Sequence, residues 1–268
     1  MPHRNNAPTF RLTLFQCVFW VSGIKSKKMK KSILLLLWVP LSSFAGHAPL
    51  ALIWDGPGSC FPNCTSNAVA VAKQAGMTVK RIRPGFKDFS VFDRANVWIQ
   101  PGGKSVTAAK SMGAPLLDKI RSFVSEGGAY VGFCAGMFLS TAKIGTSGKT
   151  GLGLVPGSTE LLRGDAPWMI LPVSITTGTR YMYYAGGPFI TLSDQDIAQY
   201  QVKIIGRYED GKIAAIESTY GKGRVAVSGF HPEQSKFWKW WRRVRDPDGS
   251  DRDFAVDMIR STQTPATP

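Results

Sequence analysis

The sequence predicts an α/β fold, a mostly parallel β-sheet with helices on both faces. Three observations carry this. Apolar runs of strand length alternate with segments of helical period from Pro49 to Phe133, as strands joined by covering helices do. A cysteine bracketed by glycines, Gly132-Phe133-Cys134-Ala135-Gly136, stands where an apolar run meets a helix start. After Ser140 the chain changes to apolar segments with short connections, which read as further strands.

The elements follow in order. Residues 49–56 (PLALIWDG) are an apolar run closed by a turn signal, a buried first strand. Residues 65–76 keep helical spacing up to a glycine stop. Residues 78–84 form a second strand and 96–103 (NVWIQPGG) a third, closed by proline and two glycines. Residues 114–126 form an amphipathic helix, and 129–133 a fourth strand running into Cys134. A glycine-rich stretch occupies 145–157. Strand is predicted over 174–190, 202–208, 213–218 and 224–229, and a closing helix over 251–260. No repeat or long linker interrupts this order. Residues 46–268 therefore read as one domain, with ordinary apolar content for a chain that builds a core (44% overall).

The amino-terminal end reads as a leader rather than as fold. From Met29 the chain runs MKKSILLLLWVPLSSFAG: a basic start, an apolar run too short to span a bilayer, and a small-residue cleavage site at Ser43-Phe44-Ala45. Residues 29–45 are thus expected to be a secretory signal, 1–28 an extension upstream of the initiator Met29, and 46–268 the exported protein, periplasmic or secreted. No cysteine follows the cleavage site, so a lipid anchor is not expected. Seven of the 33 Lys/Arg and none of the 18 Asp/Glu precede Gly46. Residues 46–268 therefore hold 26 basic and 18 acidic residues, a net charge of +8 against +15 for the whole chain. That balance favours anionic partners without specifying nucleic acid.

The chemistry centres on Cys134. A sharp strand-to-helix turn lifts a nucleophile out of the sheet. It leaves no room for side chains two residues either side, which suits Gly132 and Gly136. A helix amino terminus also favours a thiolate. A cysteine nucleophile usually needs a base. Of three histidines, His3 precedes the leader and His47 begins the exported protein, which leaves His231 in Ser228-Gly229-Phe230-His231-Pro232-Glu233. Pro232 biases His231 to an extended conformation, and Glu233 is placed to orient the imidazole. Acyl chemistry needs oxyanion donors; the N–H groups of Gly102 or Gly103, in Pro101-Gly102-Gly103, with that of Ala135, are the candidates.

These motifs resemble the class I glutamine amidotransferase-like superfamily. The resemblance implies a flavodoxin-like sheet and a Cys134–His231–Glu233 triad. The chain resembles more closely the amino-terminal domain of eukaryotic biotin–protein ligases, through Trp54-Asp55-Gly56-Pro57-Gly58, Gln100-Pro101-Gly102-Gly103, Gly127-Gly128-Ala129-Tyr130, Tyr183-Tyr184-Ala185-Gly186-Gly187-Pro188 and the His-Pro-Glu end. Two departures limit what is carried over. The superfamily's glutaminases place a glutamine-binding Gln four residues after the nucleophile; here Phe138 stands there, and it cannot make those hydrogen bonds. The biotinylating part has no counterpart in 46–268, so biotin transfer is not expected.

The expected activity is therefore an amide-directed hydrolase or amidotransferase without cofactor or metal, acting on a small-molecule or peptide-like amide. A non-catalytic ligand-binding module on the same fold is the alternative. Cys60 and Cys64 share one loop; in an exported protein they suit a local disulfide worth about 2 kcal/mol, against two free thiols. No second Cys/His pair accompanies them for a metal. The run from Lys236 to Arg245 (KFWKWWRRVR) mixes bases with aromatics. It is read as a segment whose tryptophans pack on the domain while the bases face water, or as a wall of the active site. Membrane or nucleic-acid contact through it, on the model of a basic surface protein holding an anionic polymer, is the rival. If the leader is removed, mass spectrometry of exported protein will find an amino terminus near Gly46; an intact 1–45 segment overturns this.

Overall fold

A computed structural model of the chain describes residues 48–60, 63–164 and 168–263. The leader reading, with its boundaries at 28 and 45, and the histidines His3 and His47 lie outside the described residues. The described residues fall in one unit, Gly46–Pro268.

The chain runs β1 (Leu50–Trp54), α1 (Cys64–Gln74), β2 (Thr78–Ile82), β3 (Val97–Gln100), α2 (Ser105–Ser125), β4 (Ala129–Phe133) and α3 (Ala135–Ser140). It continues through β5 (Ser158–Leu161), β6 (Met169–Ile175), β7 (Gly178–Tyr184), β8 (Pro188–Thr191), α4 (Asp194–Gln199), β9 (Lys203–Tyr208), β10 (Ile213–Tyr220), β11 (Gly223–Ser228), α5 (Lys236–Trp241) and α6 (Arg252–Ser261). Among the described residues these strands form one sheet, ordered β2-β1-β3-β4-β11-β10-β9-β6-β7, with β8 pairing both β10 and β5. The core from β2 to β11 is parallel, and the remaining pairings are antiparallel.

Both faces of the parallel core are covered, which explains why β1, β3 and β4 are buried without a polar side, while the edge strand β2 (TVKRI) keeps one. Successive residues of a strand point to opposite faces. Leu52, Trp54, Trp98, Tyr130, Val225 and Val227 meet α2 and α3. Ala51, Ile53, Val97, Ile99, Val131 and Ala226 meet α1 and α6. Helix α2 is broken at Gly113 (φ 72°, ψ 163°), just before Pro115. Proline suits the first turn of the second segment, where its missing N–H has no partner to lose.

Several expectations are corrected. Residues 174–190 read as strand throughout, yet Gly178 (φ 128°) closes a β6–β7 hairpin and Gly186 (φ 71°) opens the turn before β8. Strand β5, helix α4 and the first half of α2 were not expected. Helix α4 had a legible signal: Ser193 and Asp196 form a reciprocal capping box. The segment from Lys236 to Arg245 also differs. Trp238 packs as expected, but Phe237, Trp240 and Trp241 are 62%, 72% and 53% exposed. Lys239, read as a solvent-facing base, is buried: its ammonium donates to Asp251 Oδ2 at 2.8 Å, to the Gly249 carbonyl at 2.8 Å and to Asp246. Those carboxylates supply the partners a buried cation requires.

The bend after β4 is tight. A Cβ at Gly132 would stand 2.7 Å from the carbonyl carbon of Gly136, and one at Gly136 would stand 2.7 Å from the carbonyl oxygen of Gln100. Gly136→Ala is expected to lower the unfolding free energy by about 1–3 kcal/mol, the usual cost of overpacking. At Gly164 an added Cβ meets nothing within 4 Å, and Gly164→Ala is expected to shift stability by less than about 0.5 kcal/mol. Urea denaturation of both variants checks the contrast.

Candidate active site

The parallel pairing of β4 with β11 sets Phe133 opposite Ser228, and β3 flanks β4 with Gln100 opposite Gly132. The three carboxyl ends bring together Pro101–Gly103, Cys134 and the loop from Gly229 to Glu233. Crevices at such ends are where α/β sheets take ligands.

Cys134 sits at φ 50°, ψ −98°, a left-handed conformation that is strained for a side-chain-bearing residue. Its N–H donates to the Ser228 carbonyl at 2.7 Å, so the ladder pins the bend. Its sulfur lies 3.9 Å from the Ala185 carbonyl oxygen, and its charge raises the pKa of the nearby His231 imidazole. Nδ1–H of that imidazole donates to Glu233 Oε1 at 2.8 Å. Cys134, His231 and Glu233 are 2%, 3% and 0% exposed. The structure thus gathers the three expected residues at one end of the sheet, with His231 and Glu233 in direct hydrogen bond.

Neighbouring residues hold that group in place. The N–H of His231 donates to the Tyr183 carbonyl at 2.8 Å. Arg252 Nε donates to the Glu233 carbonyl at 3.2 Å, and Arg252 also donates to Asn67 Oδ1, whose Nδ2 donates to Gln234 Oε1. Gly102 lies directly beneath the imidazole, where any Cβ would strike Cε1. Gly187 and Gly229 approach each other so closely that a Cβ on Gly187 would collide with the Gly229 carbonyl oxygen. Among the described residues the backbone N–H groups of Gly102, Gly103 and Ala135 find no acceptor.

The charge balance favours a protonated imidazole. Burial disfavours the cation, but the charges of Cys134 and Glu233 and the hydrogen bond with Glu233 outweigh it, raising the His231 pKa to about 10. Glu233 Oε2 has no partner among the described residues, so the imidazolium is the chief compensation for a fully buried carboxylate.

Cys60 and Cys64 are bonded to each other, and Cys134 is the free cysteine of the described residues. A ligand atom of Cys64 lies within 4.8 Å of those of His231 and Glu233, but a sulfur engaged in a disulfide is not the thiolate that metals bind. Instead Cys64 Sγ accepts from Gln234 Nε2 at 3.5 Å, tying the start of α1 to the His–Glu loop.

A cavity of about 140 Å³ opens beside the imidazole, walled by Gly103, Tyr183, His231, Trp168, Trp238 and Arg242. The sequence reading offered the segment from Lys236 to Arg245 as a wall of the site, and Trp238 and Arg242 do line the cavity; it assigned no role to Trp168. Burial pushes the Tyr183 phenol up to about 12, against a hydrogen bond from Trp238 Nε1–H at 3.0 Å that partly offsets it, so the phenol stays neutral. The Tyr-Tyr-Ala-Gly-Gly-Pro motif was a visible signal, since it delivers both Tyr183 and Ala185 to the site.

With this geometry in view, residues 92–161 match the model of a family described as biotin–protein ligase, N-terminal. The chain is 27% identical over 163 residues to a biotin–protein ligase of Schizosaccharomyces pombe, covering 51% of this chain and 25% of that protein. It therefore spans about a quarter of that ligase. It is 29% identical over 142 residues to pyridoxal 5'-phosphate synthase subunit PdxT of Listeria welshimeri, covering 50% of this chain and 69% of that one. Among solved structures, PurLQS from Thermotoga maritima superposes with a TM-score of 0.55 at 18% identity, covering 81% of this chain and all of that one. A glutamine amidotransferase from Thermotoga maritima superposes with a TM-score of 0.50 at 13% identity, covering 81% and 89%. The chain has the class I glutamine amidotransferase-like fold, and its closer resemblance is to the biotin–protein ligase amino-terminal domain.

The raised pKa of His231 has a consequence for stability. Its folded value lies above the unfolded value of 6.5, so the stabilisation is fully present below pH 6.5 and is lost as pH rises through about 10. The unfolding free energy of the chain relative to His231→Gln, measured in urea, is expected to fall between pH 6.5 and 10. A difference that stays flat or grows over that window contradicts the assignment.

Proposed function

We propose that the chain is an exported cysteine-nucleophile hydrolase of the amidotransferase-like kind, acting on an amide-type carbonyl. The observation that supports this most is the strained bend that presents Cys134 to His231, itself held by the buried Glu233.

In this reading the Cys134 sulfur attacks the carbonyl carbon and the oxygen takes the charge. The N–H groups of Ala135 and of Gly102 or Gly103 receive that oxyanion. The C–N bond then breaks. The nitrogen leaves with a proton from the His231 imidazolium, and a thioester remains on Cys134. Water adds to the thioester, giving up its proton to His231, and the carboxylic product departs as the thiolate returns. Glu233 keeps the imidazole oriented and offsets its charge throughout.

A glutamine amidotransferase is among the solved structures of the same fold, but Phe138 occupies the position where those enzymes hold glutamine. Phe138 is turned to the core beneath the Gly145 turn, so the amide recognised here is held by other groups. Biotin transfer is not part of the proposal.

Iodoacetamide should label Cys134 far faster than free cysteine at pH 7, and His231→Gln should remove that advantage. Against a panel of primary amides, Cys134→Ala is expected to abolish release of ammonia. Glu233→Gln is expected to lower it by roughly 10²-fold, the low end of what a positioned proton donor contributes. A thiol no more reactive than free cysteine would instead favour a ligand-binding module on this fold.

A further inference from the structure

We propose that Arg242, with Trp168 and Trp238, forms a carboxylate subsite in the cavity beside His231, so that the substrates are amides carrying a free carboxylate. This deepens the reading above and rests on its placement of the reacting carbonyl at Cys134.

The inference starts from a cation that has no acceptor among the described residues. The guanidinium carbon of Arg242 lies 3.6 Å from the ring centroid of Trp168, 4.5 Å from that of Trp241 and 4.9 Å from that of Trp238. Indoles hold the planar cation by its faces, as cation–π contacts do. That leaves its rim of N–H donors, and among the described residues the rim has no acceptor: no ion pair includes Arg242, and its buried Nε is unsatisfied. Three other cations near the site are matched. Arg180 binds Asp251 and Asp253, Lys239 binds Asp246 and Asp251, and Arg252 reaches Asn67 and the Glu233 carbonyl. Arg242 alone among these four is oriented without an acceptor.

A guanidinium fixed by its faces and open at its edge is complementary to a carboxylate, which accepts two parallel N–H bonds from it. The cavity has His231 and Gly103 at the catalytic side and Trp168, Trp238 and Arg242 in the wall. At about 140 Å³ it suits a group of roughly benzene size, such as a short chain joining a carboxylate to an amide. The net charge of +8 over residues 46–268 is consistent with an anionic substrate.

Paired alkylation tests the subsite. Iodoacetate and iodoacetamide differ in bearing a carboxylate or an amide, and both alkylate thiolates. The ratio of their rates in the unaltered chain is expected to exceed that in Arg242→Gln by roughly tenfold or more, the size of a hydrogen-bonded charge contact. Arg242→Lys should fall between. A ratio unchanged by Arg242→Gln overturns the proposal. A second measurement is independent of Cys134 chemistry. In Cys134→Ala, glutarate should perturb the tryptophan fluorescence while neutral glutaramide does not, and Arg242→Gln should remove the response. Equal responses to the two compounds, or an equal effect of inorganic phosphate, overturn the carboxylate assignment, even if Arg242→Gln does not fold. If both alkylating reagents are slow but glutarate still binds through Arg242, the catalytic reading fails and the subsite stands.

Discussion

The parallel ladder between β4 and β11 continues one step beyond the strands, where the N–H of Cys134 donates to the Ser228 carbonyl at 2.7 Å. That bond holds Cys134 at φ 50°, a conformation the residue would leave if released. It also fixes where β11 ends, and so where His231 begins its approach. Glycine is required wherever these backbones meet. Gly132 and Gly136 clear the bend, Gly102 admits the imidazole, and Gly187 and Gly229 let the Tyr183–Pro188 turn settle on the loop that leads to His231. Several close approaches at one sheet edge make the site a property of the backbone before any catalytic side chain is considered.

Electrostatics then impose a second requirement. A buried carboxylate with one unsatisfied oxygen is costly unless a cation stands beside it. The His231 imidazolium meets that need only if it cannot swing away. The loop is accordingly tied down by its own backbone to Tyr183, by Arg252 to the Glu233 carbonyl, and by Gln234 to Asn67 and Cys64. The Cys60–Cys64 disulfide belongs to this set, because it anchors the residues that receive Gln234. Local covalent closure and a buried ion pair thus support the same loop from opposite sides.

What could be read from the sequence was whatever local pattern encodes. The alternation of strands and helices to Phe133, the glycine-bracketed bend and the His-Pro-Glu end each depend on neighbours within a few residues. The β6–β7 hairpin was less legible because residues 174–190 are rich in strand formers throughout, and only the left-handed glycines divide them. Lys239 was misread because its partners Asp246 and Asp251 lie beyond its own helix and reach it only after the chain turns back. The cavity wall was legible only in part: the run from Lys236 to Arg245 was read as a wall of the site, which Trp238 and Arg242 are, whereas Trp168 reaches the cavity from a distant stretch that shares no motif with it.

The departure at Phe138 and the composition of that wall belong together. Phe138 packs against the core beneath the Gly145 turn and does not line the cavity. The polar groups of the cavity wall are instead the neutral Tyr183 phenol and the guanidinium of Arg242. A cation clasped by indoles keeps its charge while losing much of its freedom, so little order remains to be gained when an anion arrives. The helix that carries Trp238 also places Phe237, Trp240 and Trp241 toward solvent. One segment therefore closes the cavity with its inner side, and its composition, aromatic and basic at once, follows from having to pack, pair and orient within ten residues.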